Sequence, residues 1–176
     1  MPARSIGKAY AVSKAYCTRV GDGPFPTELG NNPIGEYLQT KGHEYGVTTG
    51  RKRRCGWLDC VLLRYAQMIN GFTAMALTKL DVLDELEEIK IAVEYRLDGE
   101  KLIGVPSNTE EFERVQVIYE TFPGWKIDIT KCRSFSQLPI QAQQFVLAVE
   151  KRCGIPSKFS FFVHTFYIFI DLILLS

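Results

Sequence analysis

Four consecutive cations, Arg51-Lys52-Arg53-Arg54, follow Gly46-Val47-Thr48-Thr49-Gly50 in this chain. Like charges side by side repel one another, so the arrangement needs a reason. Arginine offers a rigid planar fork that meets a carboxylate or phosphate with two parallel hydrogen bonds. The two threonines add hydroxyl and backbone donors beside it. Together these residues describe a pocket for a small anion on a glycine-bounded loop. The same run also fits a solvated basic loop, a nuclear-import signal or a nonspecific RNA patch. No aromatic residues are interleaved with the cations, which counts against a single-strand binding surface.

A second constellation is Thr78-Lys79-Leu80-Asp81. It directly follows the apolar run Phe72 to Leu77 and opens what reads as a helix. A carboxylate at the C-terminal edge of a parallel strand can accept two hydrogen bonds from the N1–H and exocyclic amine of guanine. Adenine has no such donor pair on that edge, so one aspartate can select GTP over ATP, and the Lys79 stem can lie across the purine face. A buried polar group left unpaired by the wrong ligand is costly, which makes such a site selective. Ligands of open α/β sheets do bind at strand C-terminal ends. An aspartate at a helix start also reads as an N-cap or dipole partner.

The elements that must position these groups follow from the periodicity. A strand is predicted over 9–20, a Gly/Pro loop over 21–26, a short helix over 36–40 and an exposed loop over 42–56. Leu58, Val61, Leu62, Tyr65 and Ile69 fall at helical spacing and end at Asn70-Gly71, predicting a helix over 58–70. The run 72–77 suits a strand buried on both faces, followed by an acidic amphipathic helix ending near Glu88. Ile89 to Leu97, Asp98-Gly99 and Lys101 to Val105 form a candidate hairpin. Asn108 can cap a short helix, Val115 to Thr121 alternates as a strand, and a last helix lies between Pro139 and Gly154. Strands alternating with helices predict an α/β fold.

Composition narrows the function classes. Of 176 residues, 46 % are hydrophobic and 23 % charged, an ordinary globular balance, and the net charge of +1 creates no global field for nucleic acid or anionic membrane. The five cysteines have no Cys-x-x-Cys spacing, and the two histidines, His43 and His164, are too few for a histidine-rich metal site. The thiols read as ordinary ones in a reducing compartment. The first residues, Met1-Pro2-Ala3-Arg4-Ser5, lack the apolar run of a secretory signal.

Longer stretches carry a resemblance. Ser13-Lys14-Ala15-Tyr16, Thr18-Arg19-Val20-Gly21, Gly23-Pro24-Phe25-Pro26-Thr27-Glu28-Leu29, Gly42-His43-Glu44-Tyr45-Gly46-Val47-Thr48-Thr49-Gly50-Arg51 and Arg54-Cys55-Gly56-Trp57-Leu58-Asp59 come first. Asn70-Gly71-Phe72-Thr73, Thr78-Lys79-Leu80-Asp81, Tyr119-Glu120-Thr121-Phe122-Pro123-Gly124-Trp125, Leu138-Pro139 and Gln141-Ala142-Gln143 follow in order. Together they resemble the C-terminal part of adenylosuccinate synthetases over about Ile6 to Lys158. The resemblance implies residues 1–158 as an incomplete portion of that α/β fold, P-loop-NTPase-like with a mostly parallel sheet, and 159–176 as a divergent apolar tail. It implies GTP-dependent ligation of L-aspartate to IMP, giving adenylosuccinate in AMP biosynthesis, in a cytoplasmic homodimer. GTP phosphorylates the 6-oxygen of IMP, and the aspartate amine then displaces the phosphate.

By the same resemblance Val47, Thr48, Thr49, Gly50, Arg51, Lys52 and Arg53 form the loop that closes over aspartate. Arg51 also reaches IMP, Arg53 also holds the GTP side, and Lys79, Leu80 and Asp81 form the guanine pocket. The family's catalytic Asp and His, glycine-rich phosphate loop and magnesium ligands have no counterpart here. Gly21-Asp22-Gly23 leads into Pro24, and His43 sits in the later aspartate-loop signature. No catalytic or metal residue is therefore expected in this chain, which is expected to be inactive alone. The alternative is a non-catalytic module binding GTP or aspartate, or a tail-anchored variant. The run from Phe159 to Ser176 is at the short limit for spanning a bilayer and holds Asp171 well inside it. An alternative coding end is the favoured reading, and truncation after Pro156 is expected to improve solubility.

Overall fold

A run such as Ala74-Met75-Ala76-Leu77 has no polar side to give to water, so it must be covered on both faces. The computed structural model, which describes residues 7–161, places these four buried residues in β5 (Ala74–Thr78). β5 is the central strand of a three-stranded parallel sheet, between β1 (Tyr10–Lys14) and β9 (Ser157–Phe161). Of the tail over 159–176, only residues 159–161 are described, as the end of β9; residues 162–176 lie outside the described residues. The spanning and coding-end readings fall there. Among the described residues, no helix is long and apolar enough to cross a membrane.

The single strand expected over 9–20 is two. The Ala15 N–H still bonds the Thr78 carbonyl at 2.8 Å, continuing the ladder beyond β1. The chain then bends at the buried Ala15-Tyr16 pair, and β2 (Cys17–Arg19) runs antiparallel to β3 (Arg54–Gly56). Helix α1 (Pro33–Lys41) is longer than expected, because Asn32 caps it through the Ile34 N–H at 2.9 Å and Pro33 is preorganised for the first turn. The helix expected from Leu58 begins later, as α2 (Cys60–Asn70), closed by Gly71 at φ 62°. Leu58 and Asp59 instead form a short strand, β4 (Leu58–Asp59), parallel to β6 (Glu88–Leu97). Asp59 is fully buried and accepts hydrogen bonds from the Val61 and Leu62 N–H groups and from the Tyr95 hydroxyl.

The acidic amphipathic helix expected after Thr78 does not form. A single 3-10 turn over Leu80–Leu83 takes its place, with all four residues buried. Lys79 sits in the left-handed region at φ 58°, which is incompatible with an α-helical start. Asp84 is then tied to the Trp125 indole and the Ile129 N–H, so the chain turns instead of continuing. The predicted hairpin turns where expected, at Asp98 (φ 51°) and Gly99 (φ 89°), both with the positive φ that a two-residue hairpin requires, but its second strand is only β7 (Glu100–Lys101) and does not extend from Lys101 to Val105. β8 (Gln116–Pro123), preceded by α3 (Thr109–Arg114) with Asn108 as its cap, pairs antiparallel with β6. This second sheet is mixed and the first is parallel throughout.

Helix α4 (Ile140–Cys153) buries Ala142, Phe145, Val146, Val149 and Cys153, a spacing that fills one helical face. Phe145 meets Phe122 edge-on at 5.8 Å between ring centroids and Trp125 at 6.1 Å. α4 packs on α2, β8 and β9, and the shared core fixes β5 beneath the turn that carries Lys79 and Asp81.

Candidate functional site

Three loops meet at one buried carboxylate. Glu44 is completely buried and lies between α1 and the cationic loop. The Lys14 ammonium, at the end of β1, donates to both Glu44 oxygens at 2.8 and 2.7 Å. The Tyr16 hydroxyl donates to Oε1 at 2.6 Å, the Arg53 guanidinium to Oε2 at 2.9 Å, and the Lys79 ammonium to Oε1 at 3.0 Å. The Lys79 ammonium also donates to the Gly42 carbonyl. Burial alone would raise the Glu44 carboxyl. The hydrogen bonds from Lys14, Tyr16 and Lys79 outweigh it and hold the carboxyl down at about 2. Burial lowers the Lys14 ammonium, and its bond to Glu44 only partly offsets this. The Tyr16 hydroxyl is pushed well above the usual tyrosine range, first by burial and then by its bond to Glu44.

The cationic run thereby divides. Arg53 is held by Glu44, and its backbone N–H and carbonyl are tied to the Glu44 carbonyl and the Gln39 amide. Arg54 forks onto Glu28 at 2.7 and 2.6 Å and donates to the Gly21 and Gly23 carbonyls, pinning the preceding Gly/Pro loop. Arg51 and Lys52 are exposed. Between them and Glu44, residues 46–51 form a tight arch closed by the Tyr45–Lys52 bridge, with Gly46 N–H on the Arg51 carbonyl and Gly50 N–H on the Gly46 carbonyl, both at 2.8 Å. Val47, Thr48, Thr49 and Gly50 stand at its exposed tip. Two of the four like charges are thus balanced by buried or half-buried acids, and two face solvent at the arch.

Beside the Glu44 cluster lies a cleft of about 870 Å³. Asp81 and Asp84 form its floor with Val82. Thr40, Lys41 and His43 line one side and Lys126, Ile127, Asp128 and Thr130 the other. Asp84 is the second carboxylate here. Burial raises it to about 6, against the opposing bonds from Trp125 Nε1 at 2.6 Å and the Ile129 N–H at 3.1 Å. Those bonds make Asp84 the anchor of the 125–130 wall. Lys41 reaches over the rim to Glu85 at 2.7 Å.

The structure therefore brings Lys79, Leu80 and Asp81 to the C-terminal end of β5. The turn sends Lys79 toward Glu44 and Asp81 toward the cleft. Leu80 is fully buried, so its side chain fixes the turn. Arg51 and Arg53, assigned by resemblance to IMP and to the GTP side, do not line the cleft that Asp81 faces: Arg53 is turned onto Glu44 and Arg51 lies at the arch. Glu44, Lys14 and Asp84 went unassigned in the residue-level reading. Glu44 is the first acid before the four adjacent cations, but only the fold shows that it is the buried counter-charge of Arg53.

Magnesium does not fit these residues. Asp84 has both oxygens engaged, Asp128 accepts from Thr130, and no cluster of three or more His, Cys, Asp or Glu side chains that could hold a metal occurs among the described residues.

Comparison with known proteins relates the chain to one family by both sequence and structure. A family model described as adenylosuccinate synthetase matches residues 1–160. Among solved structures, the fully ligated adenylosuccinate synthetase from Plasmodium falciparum is similar to this chain with a TM-score of 0.81 and 48 % sequence identity. The match covers 85 % of this chain and 36 % of that one, so the chain spans about a third of the length of this relative.

Proposed function

Because this chain belongs to the adenylosuccinate synthetase family, we propose that it supplies the guanine pocket and the aspartate loop for GTP-dependent ligation of L-aspartate to IMP. Asp81 reads the N1–H and amine of guanine from the cleft floor, and the Lys79 stem and Leu80 hold the turn that presents it. The arch from Val47 to Arg53 closes over the aspartate carboxylates, with Arg51 reaching IMP and Arg53 on the GTP side. What supports this reading most is the turn after β5. One residue of it faces a cleft large enough for a purine nucleotide, and another shares a carboxylate with the base of the cationic arch.

In the proposed reaction a phosphoryl group passes from GTP to the 6-oxygen of IMP, and the aspartate amine then attacks that carbon and expels phosphate. This chain's residues bind and orient: the cationic arch offsets the carboxylates of aspartate, and Asp81 gains hydrogen bonds from the N1–H and amine of guanine that adenine cannot supply on that edge. Phosphate cradle, general base and magnesium ligands belong to the part of the family protein that these residues do not include, and a homodimer and a cytoplasmic setting belong to the same proposal.

The test joins this chain to the remaining part of a family member and assays adenylosuccinate from GTP, IMP and aspartate. Turnover above a no-protein blank that falls sharply on Arg51→Ala is the expected result. A folded, GDP-binding assembly that makes no product would overturn the ligase reading and leave a binding module.

A further inference from the structure

The aspartate arch and the guanine turn are separate in sequence, yet both terminate on Glu44. Lys79 lies 35 residues from Glu44 and Arg53 lies 9 from it, and their charged groups reach different oxygens of the same carboxylate, at 3.0 and 2.9 Å. No other acid takes either charge among the described ion pairs. Lys14 and Tyr16 complete the ring from the end of β1. Glu44 has no exposure to solvent, so water cannot replace a lost partner without rearrangement.

The turn is held from below by the four buried residues of its 3-10 segment, and the arch has no such buried core of its own. The arch tip from Val47 to Lys52 is exposed, and its internal bonds are local. The base of the arch is fixed by Arg53, through its side chain on Glu44 and its backbone on Glu44 and Gln39. Lys79 holds a left-handed backbone conformation, uncommon for a lysine, and its ammonium is fastened to the Gly42 carbonyl and to Glu44. A shift of Lys79 must therefore alter the charge balance felt by Arg53, and the reverse holds too.

We infer that Glu44 is a positioning residue that couples the guanine turn to the aspartate arch, so that the order of the arch depends on where the Lys79 ammonium sits. The inference rests on the proposed roles of the two loops only for its functional meaning; the coupling itself is a property of the chain. Occupation of the cleft would act on Lys79 through the turn it shares with Asp81, which lines the cleft, and the arch would tighten or loosen through Glu44. Two substrates would thereby be sensed together by one carboxylate that touches neither.

Hydrogen–deuterium exchange of the full chain at pH 7 tests this, following peptides over 46–53 with β6 and β8 as the reference. Lys79→Met should quicken exchange of the arch by about threefold or more while the reference keeps its rate, the pattern of a local opening. Lys79→Arg, which keeps a donor for Glu44, should retain the wild-type rate. Glu44→Gln should loosen the arch at least as much as Lys79→Met. If that variant also loses protection in β6 and β8, the lysine pair decides alone. An arch that exchanges equally in wild type, Lys79→Met and Lys79→Arg would overturn the coupling, as would acceleration spread evenly over the chain. Adding GDP separates the two readings. GDP that binds wild type and changes arch exchange there, but not in Glu44→Gln, supports the coupling at the substrate level. GDP that binds without changing the arch overturns it. Failure of GDP to bind wild type counts against the guanine pocket, and the lysine pair still decides the coupling.

Discussion

Replacing Glu44 by Gln removes the one negative charge from a ring of three cations while leaving its shape nearly intact. The carboxyl stands at about 2 in the folded chain against an ordinary 4.5. That difference corresponds to about 3 kcal/mol of folding stability at neutral pH. Removing one member of a buried ion pair elsewhere costs about 3–5 kcal/mol, a similar scale. The sign follows from linkage. A carboxylate whose folded value is depressed contributes fully above the unfolded value and loses that contribution as pH falls through the folded one. The gap between wild type and Glu44→Gln should thus be about 3 kcal/mol at pH 7 and fall to roughly half of that near pH 3. Urea unfolding followed by tryptophan fluorescence at both pH values measures it. A gap below about 1 kcal/mol at pH 7, or one that does not shrink in acid, would refute the assignment of Glu44 as the buried counter-ion.

Three further outcomes are expected. Asp59→Ala should cost about 2–4 kcal/mol, because it removes the cap of α2 and leaves the Tyr95 hydroxyl unpaired; adding Tyr95→Phe should return part of that loss in the same urea assay. Phe145→Ala should cost about 3–5 kcal/mol, since Phe122 and Trp125 both lean on a ring that is fully buried. Asp84 is raised to about 6, so the folded chain takes up its proton first and this group adds stability as pH falls from 6 toward the ordinary 3.8. Fluorescence of Trp125, whose indole donates to Asp84, should report a midpoint near pH 6 in a Trp57→Phe background, and a flat trace between pH 5 and 7 would contradict it.

Strong local signals in the sequence corresponded to elements. Asn70-Gly71, Asp98-Gly99, Asn108 and Gly154 each stop, turn or cap where their backbone chemistry dictates, and the apolar run before Thr78 is the central strand. Periodicity misled where tertiary partners intervened. Leu58 has helical spacing but is drawn with Asp59 into a strand beside β6, and the stretch after Leu80 makes a single buried 3-10 turn to Leu83, after which Asp84 is tied to Trp125. The mixed character of the second sheet follows from a strand pairing with no local signature, that of β6 with β8. In the site, the basic arch and the Lys79-Leu80-Asp81 turn were visible as charged or selective residue types at loop positions. Glu44 was not, because a single glutamate in a loop looks solvated until the fold encloses it with Lys14, Arg53 and Lys79. Asp84 was likewise hidden in an acidic stretch, since only the return of the chain at Trp125 makes it a buried anchor.

The central claim is that the cleft lined by Asp81 reads guanine. Isothermal titration of GDP and of ADP into wild-type chain and Asp81→Asn tests it most directly. GDP should bind wild type more tightly than ADP, and the substitution should weaken GDP by about 1–3 kcal/mol, the scale of a buried hydrogen-bonding group left unsatisfied, while leaving ADP nearly unchanged. Equal affinity of wild type for the two nucleotides, together with no change on Asp81→Asn, would contradict the claim and leave Asp81 as a residue that shapes the turn.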